Sequence, residues 1–99
     1  MGKPGVSFID LRERSEREKH GIIPGSLHAP YPELADQIAP GGLLRSLGAN
    51  QRLLFYCAFG ERSAMAVQAA QDARLSSACH LQGGMGAWKK ANGPLERVS

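Results

Sequence analysis

The chain has 99 residues, 42% of them hydrophobic, which is enough for one small domain with its own core. Its net charge of +3 comes from 12 basic and 9 acidic residues, largely interleaved, which argues against a nucleic-acid-binding surface. No apolar run reaches the length of about 18 residues that a membrane span needs. We therefore expect a single domain over residues 1–99, with neither nucleic acid nor membrane as a partner.

Two cysteines, Cys57 and Cys79, are too few for a disulfide framework and form no Cys-x-x-Cys pair. With no signal-peptide pattern at the N-terminus, a reducing cytoplasm is the expected location. Cys79 and His80 suggest a metal pair, but adjacent strand residues point to opposite faces and do not share an ion. We expect no metal or cofactor, a buried Cys79, and a His80 with a local hydrogen bond.

The N-terminal part of the chain begins with residues 1–5, whose glycines and proline indicate a flexible lead. Residues 6–11 form the first predicted strand, with Asp10 near its C-terminal end. Ligands gather at these strand ends in parallel α/β sheets. Asp10 and Arg12 are therefore predicted either to brace a functional loop or to form a surface turn.

A short helix follows this strand. Ser15 and Glu18 fit the spacing of a capping box, which predicts a helix over about residues 15–19. Gly21 suits the position that ends it. Residues 25–29 then predict the start of a short second strand.

The middle of the chain alternates short helical patterns with glycine and proline breaks. Residues 33–38 predict one and a half helical turns, and the Pro40-Gly41-Gly42 sequence ends them. Residues 43–47 predict another turn. The apolar run that begins after Arg52 predicts the central strand, which ends at Cys57.

The segment Cys57-Ala58-Phe59-Gly60-Glu61-Arg62-Ser63 lies between this strand and an alanine-rich helical pattern over residues 64–73. Cys57 is thus predicted at the mouth of a helix, where unpaired N–H groups and the helix dipole stabilise a thiolate. Arg62 adds a cation, and Gly60 lets the turn bring amides close to whatever the sulfur carries. The competing interpretation is a cysteine that only fills the core.

The C-terminal part predicts one more strand and one more helix. Small side chains at helical spacing let the helix after the cysteine loop lie close on the sheet. Residues 78–81 predict a last short strand, and Gly83 and Gly84 permit a sharp turn beside the cysteine loop. A short helix over residues 85–91 follows and stops at Asn92.

The cysteine segment resembles the active-site loop of the rhodanese-like (sulfurtransferase) domains. Three further segments resemble motifs of the same family in the same order, so that the four cover nearly the whole chain. They are Phe8-Ile9-Asp10-Leu11-Arg12-Glu13, Gly21-Ile22-Ile23-Pro24-Gly25-Ser26 and Leu81-Gln82-Gly83-Gly84-Met85-Gly86-Ala87-Trp88.

The resemblance implies an α/β fold with a small, mostly parallel central sheet of about four to five strands and helices on both faces. It also implies that Asp10 and Arg12 support the active loop. The family usually has His after the first glycine of its second motif, whereas this chain has Ile22 there and His20 before the glycine. Family members also usually begin with a strand and a helix that are not seen here, so either the sheet lacks an edge strand or the sequence is a trimmed part of a longer protein.

The function that the resemblance implies is sulfur transfer through a Cys57 persulfide. A small anionic donor such as thiosulfate gives up its outer sulfur, and cyanide, a thiol or a protein sulfur acceptor then takes it. Arg62 is expected to bind the donor, and Ser63 to cap the helix or lend its hydroxyl. The loop residues expected to hold the persulfide are Ala58, Phe59, Gly60, Glu61, Arg62 and Ser63.

Three alternatives remain at this stage. Related phosphatases place five residues between Cys and Arg, whereas this loop has four, and Glu61 puts a negative charge on its rim. Arsenate reduction needs further cysteines, of which only Cys79 is available. A regulatory or sulfur-carrier binding module is the non-enzymatic alternative. Phe59 is expected to screen the persulfide, contact a partner or pack on the domain.

Overall fold

The computed structural model describes residues 5–97, so the predicted flexible lead lies outside the described residues except for Gly5. Four strands alternate with five α-helices and one 3-10 turn in this part of the chain. Their bounds are β1 Val6–Asp10, α1 Arg14–His20, β2 Leu27–His28, the 3-10 turn Tyr31–Glu33, α2 Leu34–Ile38, α3 Leu43–Gly48, β3 Arg52–Tyr56, α4 Glu61–Asp72, β4 Cys79–His80 and α5 Gly84–Lys90.

The four strands form one sheet in the order β2-β1-β3-β4, and every neighbouring pair is parallel. The pair β1–β3 is the longest, with Val6 opposite Arg52 and Asp10 opposite Tyr56. Because all strands run the same way, their carboxyl ends lie along one edge of the sheet. The predicted fold class, with a small parallel sheet of four strands, is confirmed.

Alternating side chains of the two central strands supply a core on each face of the sheet. Ile9, Leu53 and Phe55 face the larger core, to which α2, α3 and α4 contribute apolar side chains. Tyr56 lies on the opposite face. There Phe8 meets Trp88 of α5 edge-to-face, with ring centroids 6.0 Å apart. Helices therefore cover both faces, as predicted.

Two local expectations are wrong. The capping box of α1 consists of Glu13 and Glu16 instead of Ser15 and Glu18, because extended Glu13 takes the N-cap and its N–H donates to the Glu16 carboxylate over 2.9 Å. Cys79 is partly exposed instead of buried, because β4 has two residues and lies at the edge of the sheet.

No helix within residues 5–97 is long and apolar enough to cross a membrane.

A buried ion pair lies at the carboxyl end of β1. The Arg12 guanidinium donates to both oxygens of the Asp10 carboxylate, over 3.0 and 2.9 Å, and both side chains are almost completely buried. Arg17 of α1 donates to the same carboxylate over 3.1 Å. Arg12 also donates to the carbonyl oxygen of Gly21 over 2.8 Å, which holds the end of α1 against the sheet edge.

Tyr56 joins this ion pair to the strand that leads into the cysteine loop. Its hydroxyl donates to Asp10 over 3.0 Å and accepts the N–H of Ile23 over 3.2 Å. The Arg12 guanidinium lies over its ring at 5.5 Å from the centroid. Burial and the nearby Asp10 charge raise the pKa of Tyr56 to about 12, so it stays a hydrogen-bond donor at neutral pH.

Asp10→Asn should lower the free energy of unfolding by about 3 kcal/mol, because it leaves the Arg12 charge buried without its counter-ion. Urea denaturation measures the loss. Glu18→Gln is the matched control, since Glu18 pairs with Arg14 on the surface of α1, and it should cost less than about 0.5 kcal/mol. Equal losses in the two variants would show that the buried pair contributes no more than a surface pair.

Candidate active site

Cys57 follows the last residue of β3 and is completely buried. The chain then turns through three residues into α4. Backbone N–H groups from the end of this turn and from the first turn of α4 point at the sulfur: the nitrogen of Gly60 lies 3.1 Å from Sγ and that of Ser63 lies 3.4 Å away. The Ser63 hydroxyl oxygen is 3.7 Å from the same sulfur. Hydrogen-bond donors of the loop therefore converge on Sγ.

This convergence changes the acidity of the thiol. Burial of Cys57 favours the neutral form, but the N–H and hydroxyl of Ser63 and the N–H groups of Gly60 and Phe59 outweigh it and lower the pKa of the thiol. The N-terminus of α4 adds the positive end of a 12-residue helix. Because the thiolate is the nucleophilic form of cysteine, the loop favours nucleophilic chemistry at Sγ.

The carbonyl groups of the loop are held by the first turn of α5. The N–H of Met85 donates to the carbonyl of Cys57 over 2.8 Å, and the N–H of Gly86 donates to that of Ala58 over 3.1 Å. These N–H groups have no acceptor within their own helix. The sequence-predicted turn beside the cysteine loop is thus a direct backbone contact between α5 and the loop.

The two glycines that start α5 permit this contact. Gly83 is its N-cap, with φ 78°, and Gly84 has φ 59°, values that side chains disfavour. A Cβ on Gly84 would come within 2.4 Å of the Cys57 carbonyl oxygen and 2.7 Å of the Ala58 carbonyl oxygen. Any side chain at residue 84 would therefore push the loop and α5 apart.

Arg62, the predicted donor-binding residue, forms a two-bond ion pair with Glu16 of α1. Its two Nη groups donate to the two carboxylate oxygens, each over 2.9 Å. The hydrogen bond from Arg62 outweighs partial burial and lowers the pKa of Glu16 to about 2. The hydrogen bond to Glu16 likewise raises the pKa of Arg62, and the nearby Cys57 thiolate raises it further. The sequence did not single out Glu16, because it lies 46 residues from its partner.

His80 is a second residue that sequence reasoning did not place at the site. Its Nδ1 lies 3.1 Å from the Ser63 hydroxyl oxygen, 17 residues away in the chain, whereas a local hydrogen bond was expected. The parallel pairing of β4 with β3 brings His80 beside the start of α4. The available signal was a histidine at the carboxyl end of a strand, where site residues of parallel sheets gather.

A hollow of about 340 Å³ adjoins the loop. We call it the loop hollow; it is lined by Arg12, Glu16, His20, Ala58, Phe59, Met85, Gly86 and Lys89. The Phe59 side chain is 72% exposed and lies outside the core, with its ring next to Gly86 of α5. Glu61 is exposed in the first turn of α4.

Cys79 does not join the Cys57 site. Cys79 pairs with Leu54, which precedes Cys57 by three residues. Cys79 therefore lies on the face of the sheet opposite Cys57, at a level about 10 Å away along the strand direction. A disulfide between the two cysteines would need Cα atoms within about 7 Å. Within residues 5–97, no three His, Cys, Asp or Glu side chains form a group that could hold a metal ion.

Gly84→Ala should lower the free energy of unfolding by about 3 kcal/mol, because its Cβ adds a clash with the loop carbonyls to the strain of a positive φ. Gly25→Ala is the matched control: Gly25 also has a positive φ, of 79°, but a Cβ there meets nothing within 4 Å. Chemical denaturation should show that the control lowers the free energy of unfolding by about 1 kcal/mol. A loss no larger at residue 84 would contradict the close contact.

Ser63→Ala should raise the pKa of the Cys57 thiol, because it removes the hydroxyl near Sγ while leaving the backbone N–H in place. The rate of Cys57 alkylation by iodoacetamide as a function of pH measures it. We expect a severalfold slower reaction at pH 7 and equal rates once both thiols are ionised. A variant with the wild-type pH profile would show that the hydroxyl does not stabilise the thiolate.

Comparison with known proteins places these features in a family. The family model of the rhodanese-like domain matches residues 1–91. The mouse protein named thiosulfate sulfurtransferase/rhodanese-like domain-containing protein 3 is 31% identical in an alignment of 95 positions that covers 89% of this chain. The chain spans about 60% of the length of that relative.

Solved structures agree with the match. A Rhodopseudomonas palustris protein of unknown function, described as a possible tyrosine phosphatase, is 38% identical with a TM-score of 0.86, over 94% of this chain and 72% of that one. The rhodanese-like domain of an Anabaena sp. protein is 30% identical with a TM-score of 0.80, over 98% of this chain and 69% of that one. The chain, with its four-stranded parallel sheet and its cysteine loop at the mouth of α4, belongs to the rhodanese-like domain family, which includes sulfurtransferases.

Proposed function

We propose that this domain transfers a sulfane sulfur through a persulfide on Cys57. The observation that supports it is the convergence of the Gly60 and Ser63 N–H groups on Sγ, with the accompanying lowered pKa of the thiol. The same donors that stabilise a thiolate stabilise a persulfide anion, whose charge lies one atom further out. Membership of a family that includes sulfurtransferases agrees with this proposal.

The first half-reaction is a nucleophilic displacement at sulfur. The Cys57 thiolate attacks the outer sulfur of a small anionic donor such as thiosulfate, forming a new S–S bond. The S–S bond of the donor breaks, and its electron pair leaves with sulfite. In the second half-reaction a thiolate or cyanide attacks the terminal sulfur, and Cys57 leaves as the thiolate.

The other residues of the loop have supporting roles in this proposal. The amides of Ala58, Phe59, Gly60 and Glu61 surround the transferred sulfur, and the Arg62 guanidinium lies beside them while paired with Glu16. Exposed Phe59 screens the persulfide from water or contacts the acceptor. Gly83 and Gly84 hold the loop through α5, while Asp10 and Arg12 hold the strand ends beneath it.

The loop length favours sulfur over phosphate as the transferred group. Four residues separate Cys57 from Arg62, one fewer than in the related phosphatases, so the ring of amides around the transferred group is smaller. Exposed Glu61 adds a negative charge near the rim, which a dianionic phosphoester would meet on its approach. A binding module that uses the same surface without turnover is the remaining alternative, and the persulfide experiment separates the two.

Incubation with thiosulfate should add the mass of one sulfur atom to the wild-type protein, and cyanide should remove it. Intact mass spectrometry measures both steps. Cys57→Ser should show no adduct, because a serine hydroxyl is not ionised at neutral pH. Cys79→Ser is the matched control and should keep the adduct, since Cys79 lies on the opposite face of the sheet.

An adduct that persists in Cys57→Ser would contradict the mechanism. The lack of any adduct on the wild-type protein, together with Cys57-dependent hydrolysis of an aryl phosphate, would establish phosphatase chemistry instead. With neither activity, the domain would act as a binding module.

A further inference from the structure

The residue that would attract an anionic donor is already engaged by a carboxylate of this chain. Glu16 accepts hydrogen bonds from both Nη groups of Arg62. The Arg62 side chain is 28% exposed and the Glu16 side chain is 27% exposed. With the pKa of Glu16 lowered to about 2, the pair carries no net charge at neutral pH. A second carboxylate, that of Glu61, is exposed in the same loop.

The charges around the loop hollow show the same compensation. Arg12 lines it with its guanidinium bound to Asp10, a carboxylate that it shares with Arg17, and Glu16 lines it next to Arg62. Lys89 also lines it and, among the described residues, has no carboxylate within ion-pair distance. Phe59, Met85 and the backbone of Gly86 supply an apolar wall. Among the described residues that line the hollow, Lys89 is therefore a cation with no carboxylate bound to it, and it lies beside an apolar surface.

We propose that Glu16 is a specificity-determining residue that disfavours dianionic donors and leaves monoanionic donors with an apolar group, such as organic thiosulfonates, as the preferred class. This inference rests on the sulfur-transfer function proposed above. Glu16 lines the hollow beside the cysteine loop and pairs with Arg62, which lies close enough to Cys57 for the thiolate to raise its pKa, so a donor that enters through this hollow meets the Glu16 carboxylate. Coulomb repulsion scales with the charge of the donor, so the effect on a dianion is twice that on a monoanion on a logarithmic scale.

Benzenethiosulfonate and thiosulfate form a suitable pair of donors. In both, the Cys57 thiolate attacks the outer sulfur and the S–S bond breaks. The leaving group is benzenesulfinate in one and sulfite in the other, so charge balances in each reaction. The donors differ by one negative charge and by a phenyl ring, and the variants of Glu16 test the part due to charge.

Glu16→Gln is the informative substitution. Its amide oxygen still accepts the N–H of Glu13, so the capping of α1 is retained while the charge is removed. We expect kcat/KM to rise about tenfold for thiosulfate and about threefold for benzenethiosulfonate. Glu18→Gln removes the same charge from the exposed face of the same helix and should leave both values within about 1.5-fold of wild type. Glu16→Asp, which keeps the charge, should not reproduce the gain of the Gln variant.

Alkylation of Cys57 gives a second readout that needs no sulfur transfer. The ratio of the rate constants for iodoacetate, an anion, and iodoacetamide, its neutral analogue, cancels any change in thiol reactivity. Peptide mass spectrometry separates Cys57 from Cys79. This ratio should rise about threefold in Glu16→Gln and stay unchanged in Glu18→Gln.

The outcomes separate the two proposals. Suppose that persulfide forms but that Glu16→Gln has the wild-type kcat/KM values and the wild-type alkylation ratio, or that both glutamine variants change equally. Either result would overturn the role of Glu16 and leave the proposed sulfurtransferase function intact. A raised alkylation ratio without persulfide from either donor would overturn the proposed function, and with it the donor class, while retaining Glu16 as a barrier to anions. The inference is established if Glu16→Gln, and not Glu18→Gln, raises both the alkylation ratio and the kcat/KM for thiosulfate relative to that for benzenethiosulfonate.

Discussion

The structure depends on the orientation of the peptide groups in the turn after Cys57. N–H groups that point inward to Sγ leave carbonyl groups that point outward, and buried carbonyls need donors. The first turn of α5 supplies them from Met85 and Gly86, whose N–H groups have no acceptor in their own helix. N–H groups at the starts of two helices thus hold the loop: those at the start of α4 donate to Sγ, and those at the start of α5 donate to the loop carbonyls. Gly84 has to be a glycine because the two backbones meet there without space for a side chain.

Two ion pairs with different environments tie α1 to the sheet edge and to the loop. The Asp10–Arg12 pair is buried and has further hydrogen bonds from Arg17 and Tyr56, so its role is to hold the strand ends in place. The Glu16–Arg62 pair is partly exposed and lies at the reactive face. Its two hydrogen bonds join α1 to the start of α4, and we propose that it also sets the charge that an incoming donor meets.

Much of the fold could be predicted because its signals are local. The run before Cys57, the alanine-rich segment after it and the glycine breaks predicted β3, the loop and α4 close to their observed bounds. The predicted N-cap of α1 was two residues too late. Ser15 and Glu13 both offer a capping oxygen, and only the geometry of the chain leaving β1 decides between them. The exposure of Cys79 depended on β4 being the edge strand, which no local pattern shows.

The sequence by itself determined the position of Cys57 at a strand end before a helix, because hydrophobic periodicity and glycine placement act over a few residues. The parallel α/β architecture was predicted from the resemblance of four sequence motifs to the rhodanese-like family. Only the tertiary structure decided which side chains surround that cysteine. Glu16 reaches Arg62 across 46 residues, and His80 reaches Ser63 across 17, through the parallel pairing of strands and the return of α1 to the sheet edge. Such contacts join surfaces that come together only when the sheet forms, so their physical origin lies in the packing of the whole domain.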